Sequence, residues 1–212
     1  ERPSTRNGGY EAYVNDGVLG IILQYVGQCA STTAISVNND MKSGMIDRFC
    51  TMPVEENSIL SGHVISALLR NFLTAIIVIA VAFGVGFRPS ARISEWLTAI
   101  LIVLLYITAL SWISVFLGIK ANSPEGAGAF AVFAVVLPYL SSGFVPVETM
   151  PRFLKLFAEH QPMTPVIESI RMLLLGEPLD RKLLYTAVLW CLGLGGIFYH
   201  LSSVAFKKKR TV

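Results

Sequence analysis

Apolar residues along this chain come in long blocks, with neither a period of two nor an amphipathic period of 3.6. Four uncharged runs, Gly17 to Asn39, Trp96 to Ile119, Gly126 to Val147 and Leu183 to Phe206, each reach the length a helix needs to cross a hydrocarbon core. That length is about 20 residues. A fifth run, His63 to Phe87, is interrupted only by Arg70. Helices are the element expected for all five, because in lipid each backbone N–H and C=O must be satisfied within its own segment. The fold class expected is therefore an all-α membrane protein, a bundle with five visible spans.

Composition agrees with that class. Hydrophobic residues make up 53% of the 212 and charged residues 15%, against roughly 25% charged in soluble domains. Mean hydropathy is +0.60. The formal net charge of +3 matters less than its placement, with Lys207, Lys208, Lys209 and Arg210 directly following the last apolar run. Such a cluster marks a cytoplasmic membrane face, where anionic lipid attracts it. No aromatics are interleaved with it, so nucleic acid is not an expected partner.

Parity then sets the topology. With the basic tail inside, five spans put Glu1 outside, the Asp40 to Ser61 loop inside, and the Lys120 to Glu125 turn inside. The long Glu148 to Lys182 segment falls outside. An external N-terminus without a signal sequence inserts poorly, so one more span is expected upstream of Glu1, giving six with both ends in the cytoplasm. On this reading residues 1–212 are a single transmembrane domain, truncated at its N-terminus. Arg70, counted from His63, lies near one end of its run, and snorkelling to the interface is its expected state; a salt bridge to another helix is the rival.

Enzymatic machinery is not visible. There is no G-x-x-x-x-G-K-[ST] phosphate loop, no G-x-S-x-G elbow and no H-E-x-x-H helix in the sequence. His63, His160 and His200 fall in three separate segments, unlike metal ligands, and Cys29, Cys50 and Cys191 are too scattered for a disulfide framework or a zinc knuckle. The chain is expected to bind no cofactor and no metal and to have no catalytic residues.

Three segments carry more information. In the loop after the first run, Met41, Met45 and Phe49 recur every four residues, so a short helix there would carry an apolar stripe, ended by Pro53. Asp47 and Arg48 would stand at its rim. A handle for a soluble partner and a helix lying on headgroups share this signature, and spacing does not separate them. In the first run, Gln24, Gln28, Ser31 and Thr32 share one helical face, which is expected to point into the bundle or toward another chain, as a substrate path or a helix interface. Gly193, Gly195 and Gly196 in the last run are expected to permit close packing. In the external segment, Met150, Phe153, Leu154 and Phe157 form one face of a short helix. A second helix is expected with Thr164 as N-cap and Pro165 first, ending at Gly176. Together they predict a hairpin that dips into the outer leaflet; two helices lying flat on the surface are the alternative.

The ordered set of these segments resembles the permease subunits of type-2 ATP-binding-cassette exporters, in the daunorubicin-resistance-like branch. The resemblance is carried by Asp40, Gly44, Asp47-Arg48 and Pro53 in the loop, and by Ser123-Pro124-Glu125 before the fourth run. Leu137-Pro138, Ser141-Ser142-Gly143-Phe144-Val145-Pro146 and Met150-Pro151 follow. Gln161-Pro162, Thr164-Pro165, Arg171 and Gly176 complete it. It implies a multi-pass protein of the bacterial cytoplasmic membrane serving multidrug export and antibiotic resistance. The Asp40 to Pro53 loop would hold a coupling helix (Met41, Met45, Asp47, Arg48 and Phe49) on a separate ATPase subunit, which carries the ATP and Mg. Pro146 to Gly176 would hold a re-entrant hairpin that includes Pro151, Phe153, Phe157, Pro162, Thr164, Pro165 and Arg171. A second permease copy, the same or different, and membrane lipid are the other implied partners. Gln161 stands where many relatives have Asn, read as a change of cap. Rival functions are a type-2 permease for a glycan or lipid-linked polymer, an intramembrane enzyme, and a non-transporting sensor or immunity protein.

Overall fold

The computed structural model describes residues 21, 25–28, 30–44, 56–87, 89, 91–129, 161, 163–176, 178 and 180–210. Among these every regular element is a helix. Residues 30–42 form α1 and 124–129 a short helical segment. Glu56–Val85 is α2, Ile93–Lys120 α3, Met163–Leu175 α4 and Arg181–Arg210 α5.

Three of these helices are long and apolar enough to cross a membrane, over Ser58–Gly84, Ile93–Lys120 and Arg181–Lys208. At 1.5 Å per residue, the 28 residues of α3 extend about 42 Å, beyond a hydrocarbon core of about 30 Å. The first expected span is described only in part and helical where described. Of the fourth, only 126–129 are described. The start of α2 and both ends of α5 lie outside the runs read from sequence. Polar first and last turns continue a helix once its middle has formed, so hydropathy underestimates length at both ends.

Local chemistry accounts for the helix ends. At the end of α2, Gly86 takes φ +109, the Phe87 N–H reaches the Ala82 carbonyl at 2.9 Å, and the Gly86 N–H reaches the Phe83 carbonyl at 3.3 Å. This paired pattern needs a residue without Cβ at the left-handed position. Phe87 is buried and packs edge-on against Phe83, 5.8 Å away. The Arg92 N–H donates to Glu95 Oε2 at 2.6 Å, where α3 begins. Ser123, Pro124 and Glu125 open the next helical segment. The Ser123 hydroxyl accepts from the Gly126 N–H at 3.0 Å, while Pro124 stands where no N–H is needed. Gly176, at φ +70, follows α4 as expected. The start of α4 differs from the reading above. Met163 is already helical, which puts Thr164 and Pro165 inside the first turn and not at the cap.

α3 is the centre of the bundle, packed most extensively on α5 and also on α2 and α4, while α4 leans on α5 as well. Aromatic pairs stitch the α3–α5 seam, Trp112 on Tyr199 at 4.7 Å and Phe116 on Phe198 at 5.5 Å. The core has two parts. One gathers Ala99, Ile102, Ile107, Ile167, Ile170 and Ala187, where α4 covers the first half of α3. The other, at the far end of α3, gathers Val37, Leu60, Val64, Val115, Ile119 and Phe206 from four helices. The outside is as apolar as the inside: Leu69 is 66% exposed, Leu73 61% and Val81 61%. Water would penalise such a surface, and lipid does not. Hydroxyls along α3 are satisfied locally at Thr108 and Ser111, which donate to the carbonyls four residues back.

Glycine is the clearest correction. Gly193 and Gly196 have open space where a Cβ would stand, and at Gly195 a Cβ would meet Ala109 Cα at an ordinary 3.7 Å. The close crossing is at Gly118 on α3, where a Cβ would stand 2.6 Å from the Ala34 carbonyl oxygen and 2.9 Å from Val37 Cβ.

Candidate functional site

Among the described residues two places concentrate polar chemistry, one at the end of the bundle and one at mid-height. The end site follows from where four helices terminate. The last turn of α1, the first turns of α2, the turn after α3 and the last turns of α5 converge around the Val37, Leu60, Ile119 and Phe206 cluster. Asn38, fully buried, donates from Nδ2 to the Gly118 carbonyl at 2.9 Å and the Ala121 carbonyl at 2.7 Å. It thereby caps the end of α3 with a side chain from α1. The sequence reading missed it, although seven residues after Ser31, two helical turns on, is Asn38. Asp40 Oδ2 stands 3.3 Å from His63 Nε2, tying the end of α1 to α2. The Glu125 carboxyl lies below the usual carboxylate range, held there by a backbone hydrogen bond, then by the Ser123 hydroxyl and by the nearby Lys42 charge. The loop 45–55 thus departs from and returns to a fastened base.

Of the five coupling residues, Met45, Asp47, Arg48 and Phe49 lie outside the described residues. Met41 is described, and it corrects the stripe. It is part of α1, partly buried against the end cluster. Beyond it the chain turns at Ser43 and Gly44, with φ +69 at Gly44. A left-handed glycine ends a helix, so the helix that carries Met41 stops at this turn.

The mid-height site lies between α1 and α2. Because α2 begins at Glu56, Arg70 is twelve residues from one end of the apolar stretch Ser58–Gly84 and fourteen from the other. It is a mid-span arginine, not the near-terminal one read from the sequence. Its Nη1 donates to Thr32 Oγ1 at 3.0 Å, a hydroxyl in place of the carboxylate of a salt bridge. Gln28 and Thr32 are exposed on the chain and Ser31 is half-buried, so Gln28 and Thr32 do not point into this chain's own bundle. Gln24 lies outside the described residues.

In the expected hairpin, Pro151, Phe153, Phe157 and Pro162 lie outside the described residues. Thr164, Pro165 and Arg171 are on α4, whose 13 residues extend about 20 Å, too short to cross. Arg171 Nη1 pairs with Glu168 Oε1 at 2.6 Å, and Gln161 Nε2 donates to Thr164 Oγ1 at 3.4 Å. Pro165, Val166, Ile167, Ile170 and Leu174 are buried, so α4 is embedded against α3 and α5 and does not lie loosely on a surface. Beside it, α2, α3 and α4 frame an apolar recess of about 120 Å³ lined by Phe72, Ile79, Trp96, Val103, Ile107 and Leu174.

A family model described as ABC-2 type transporter matches residues 7–175. Among curated relatives, the chain is 28% identical over 185 residues to the daunorubicin resistance ABC transporter permease protein DrrB1 of Streptomyces coeruleorubidus, covering 87% of this chain and 62% of that protein. It is 24% identical over 146 residues to the probable doxorubicin resistance ABC transporter permease protein DrrC of Mycobacterium tuberculosis, covering 68% and 52%. The putative transport permease ycf38 of Porphyra purpurea is 26% identical over 171 residues, covering 79% and 57%. This chain therefore spans roughly half to three-fifths of the length of these relatives.

Proposed function

The chain belongs to the ABC-2 type transporter family, and from that premise we propose that it is the membrane subunit of an ATP-driven exporter that moves an amphipathic drug-like or lipid-like molecule outward. It is a multi-pass protein of the cytoplasmic membrane. The whole of residues 1–212 acts as one transmembrane domain, with the further spans and the re-entrant hairpin that the resemblance implies. Drug resistance is named in its relatives DrrB1 and DrrC, which favours such a substrate over a glycan polymer. ATP and Mg bind to a separate ATPase subunit, and two permease copies form the path.

The observation that carries this reading, beyond family membership, is the convergence of α1, α2, α3 and α5 at the base of the 45–55 loop. A push on that loop reaches α1, α2 and α3 through the Asp40–His63 pair and the Asn38 cap, and α5 through the apolar cluster. Rigid-body switching of packed helices needs a joint that moves them together.

Two results are expected. Reconstituted with its ATPase partner, the chain supports ATP-dependent accumulation of an amphipathic drug in inverted vesicles, and the purified chain hydrolyses no ATP. Robust turnover by the chain alone would overturn the reading. Single cysteines at Lys42 and Lys155, in a background lacking Cys29, Cys50 and Cys191, should react with an impermeant maleimide from opposite sides. Reaction from one side only would overturn the topology.

A further inference from the structure

Among the described residues Arg70 has no carboxylate partner. The sequence has no Asp or Glu between Asp16 and Asp40, between Glu56 and Glu95, between Glu95 and Glu125, between Glu125 and Glu148, or after Asp180. All five apolar runs fall inside these intervals. Arg70 is the one Lys or Arg within them. An arginine at the middle of a span costs about 2.5 to 3.5 kcal/mol on insertion scales, so such residues mark ion or substrate paths and come with a partner.

Its surroundings are polar and outward-facing. Thr32 receives the guanidinium at 3.0 Å, Gln28 is exposed four residues before Thr32, and Ser66 is exposed four residues before Arg70. Two short polar stripes on neighbouring helices thus meet at mid-height, among exposed apolar neighbours such as Leu69 and Leu73. A hydroxyl occupies one N–H of a guanidinium that carries five, in a fork matched to carboxylate and phosphate.

We propose that Arg70, held by Thr32, is an anion-binding station in the transport path, taking the carboxylate or phosphate head of an amphipathic cargo while the tail lies on the apolar surface beside it. The proposal deepens the export reading, on which it rests for the presence of cargo at the midplane. Head and tail are both required: a free anion has no route to this depth, and a neutral amphiphile leaves the charge unmatched.

The test is binding to the full chain purified in a neutral detergent. Dansyl-labelled dodecyl phosphate is compared with its neutral dimethyl ester, and in a parallel arm dansyl-labelled dodecanoate with its methyl ester, which tells the two head types apart. A charge-assisted hydrogen bond in such a setting makes an anion bind about ten- to a hundredfold more tightly than its ester. Arg70→Gln should bring that ratio to near unity without changing the ester's affinity, which reports an intact fold, and Arg70→Lys should keep most of the preference. Thr32→Glu supplies the missing counter-charge from α1 and should abolish the preference in a chain that still folds, should Arg70→Gln not fold. Equal binding of anion and ester by the wild-type chain overturns the proposal and leaves the polar stripes as a contact between chains. A preference that survives in Arg70→Gln or Thr32→Glu also overturns it. Transport plays no part in this measurement, so anion binding without ATP-dependent export would sink the exporter reading alone.

Discussion

Replacing Gly118 with alanine is expected to destabilise the bundle by about 2 to 4 kcal/mol, although alanine is the better helix former. The new Cβ would stand 2.6 Å from the Ala34 carbonyl oxygen and 2.9 Å from Val37 Cβ. The first of these is backbone, so α1 as a whole must move. Overpacking of this kind costs about 1 to 3 kcal/mol. Moving α1 also withdraws Asn38 from the Gly118 and Ala121 carbonyls, two hydrogen bonds of about 1 kcal/mol each. Against this, alanine recovers about 1 kcal/mol of helix propensity. Asn38→Ala should account for about 1 to 3 kcal/mol by itself, since it strips the α3 end of its cap. The measurement is thermal unfolding in detergent followed by gel filtration. Gly195→Ala and Gly193→Ala are the controls, expected near wild type, because the first meets only an ordinary contact and the second meets nothing. If Gly118→Ala melts with those controls, the α1–α3 crossing is not as close as described.

The second large effect concerns coupling. The double change Met45→Asp with Phe49→Asp is expected to leave the chain inserted and folded but to weaken its ATPase complex by more than tenfold. Each side chain buried in a groove on the ATPase contributes about 1.5 to 3 kcal/mol, and tenfold corresponds to about 1.4 kcal/mol. Asp47 and Arg48 are expected to fix the orientation at the rim. The discriminating control is Met41→Asp. Met41 packs on the chain's own end cluster, so its change should lower folding stability and yield and spare the partner surface. Co-purification of the ATPase and drug-stimulated hydrolysis by the reconstituted complex are the readouts. Should both persist at wild-type level in the double variant, with expression unchanged, the loop lies on the membrane and does not couple.

What could be read from the sequence was whatever depends on a short stretch of chain and its solvent. A 20-residue apolar block in lipid has one way to satisfy its backbone, so the helical class and the spans over α2, α3 and α5 were legible from composition alone. Turn chemistry is equally local. Gly176 ends α4, and Ser123-Pro124-Glu125 opens a helix, for reasons contained in those residues. The order of such local signatures is also what makes the family recognisable in the sequence.

Which faces meet was decided by the tertiary structure. In water, an apolar stripe marks the buried side of a helix. In lipid both sides are apolar, and packing follows small residues and shape instead. Nothing near Gly118 in the sequence separates it from Gly193 or Gly196; only the approach of α1 does. Arg70 became a mid-span residue because the helix that carries it starts at Glu56, seven residues before the run read from the sequence. Met41 went to the core because it belongs to α1, which a left-handed glycine ends just after it. Each of these outcomes depends on contacts between residues far apart in sequence, or on where a helix starts or stops, and a list of apolar and polar positions carries neither.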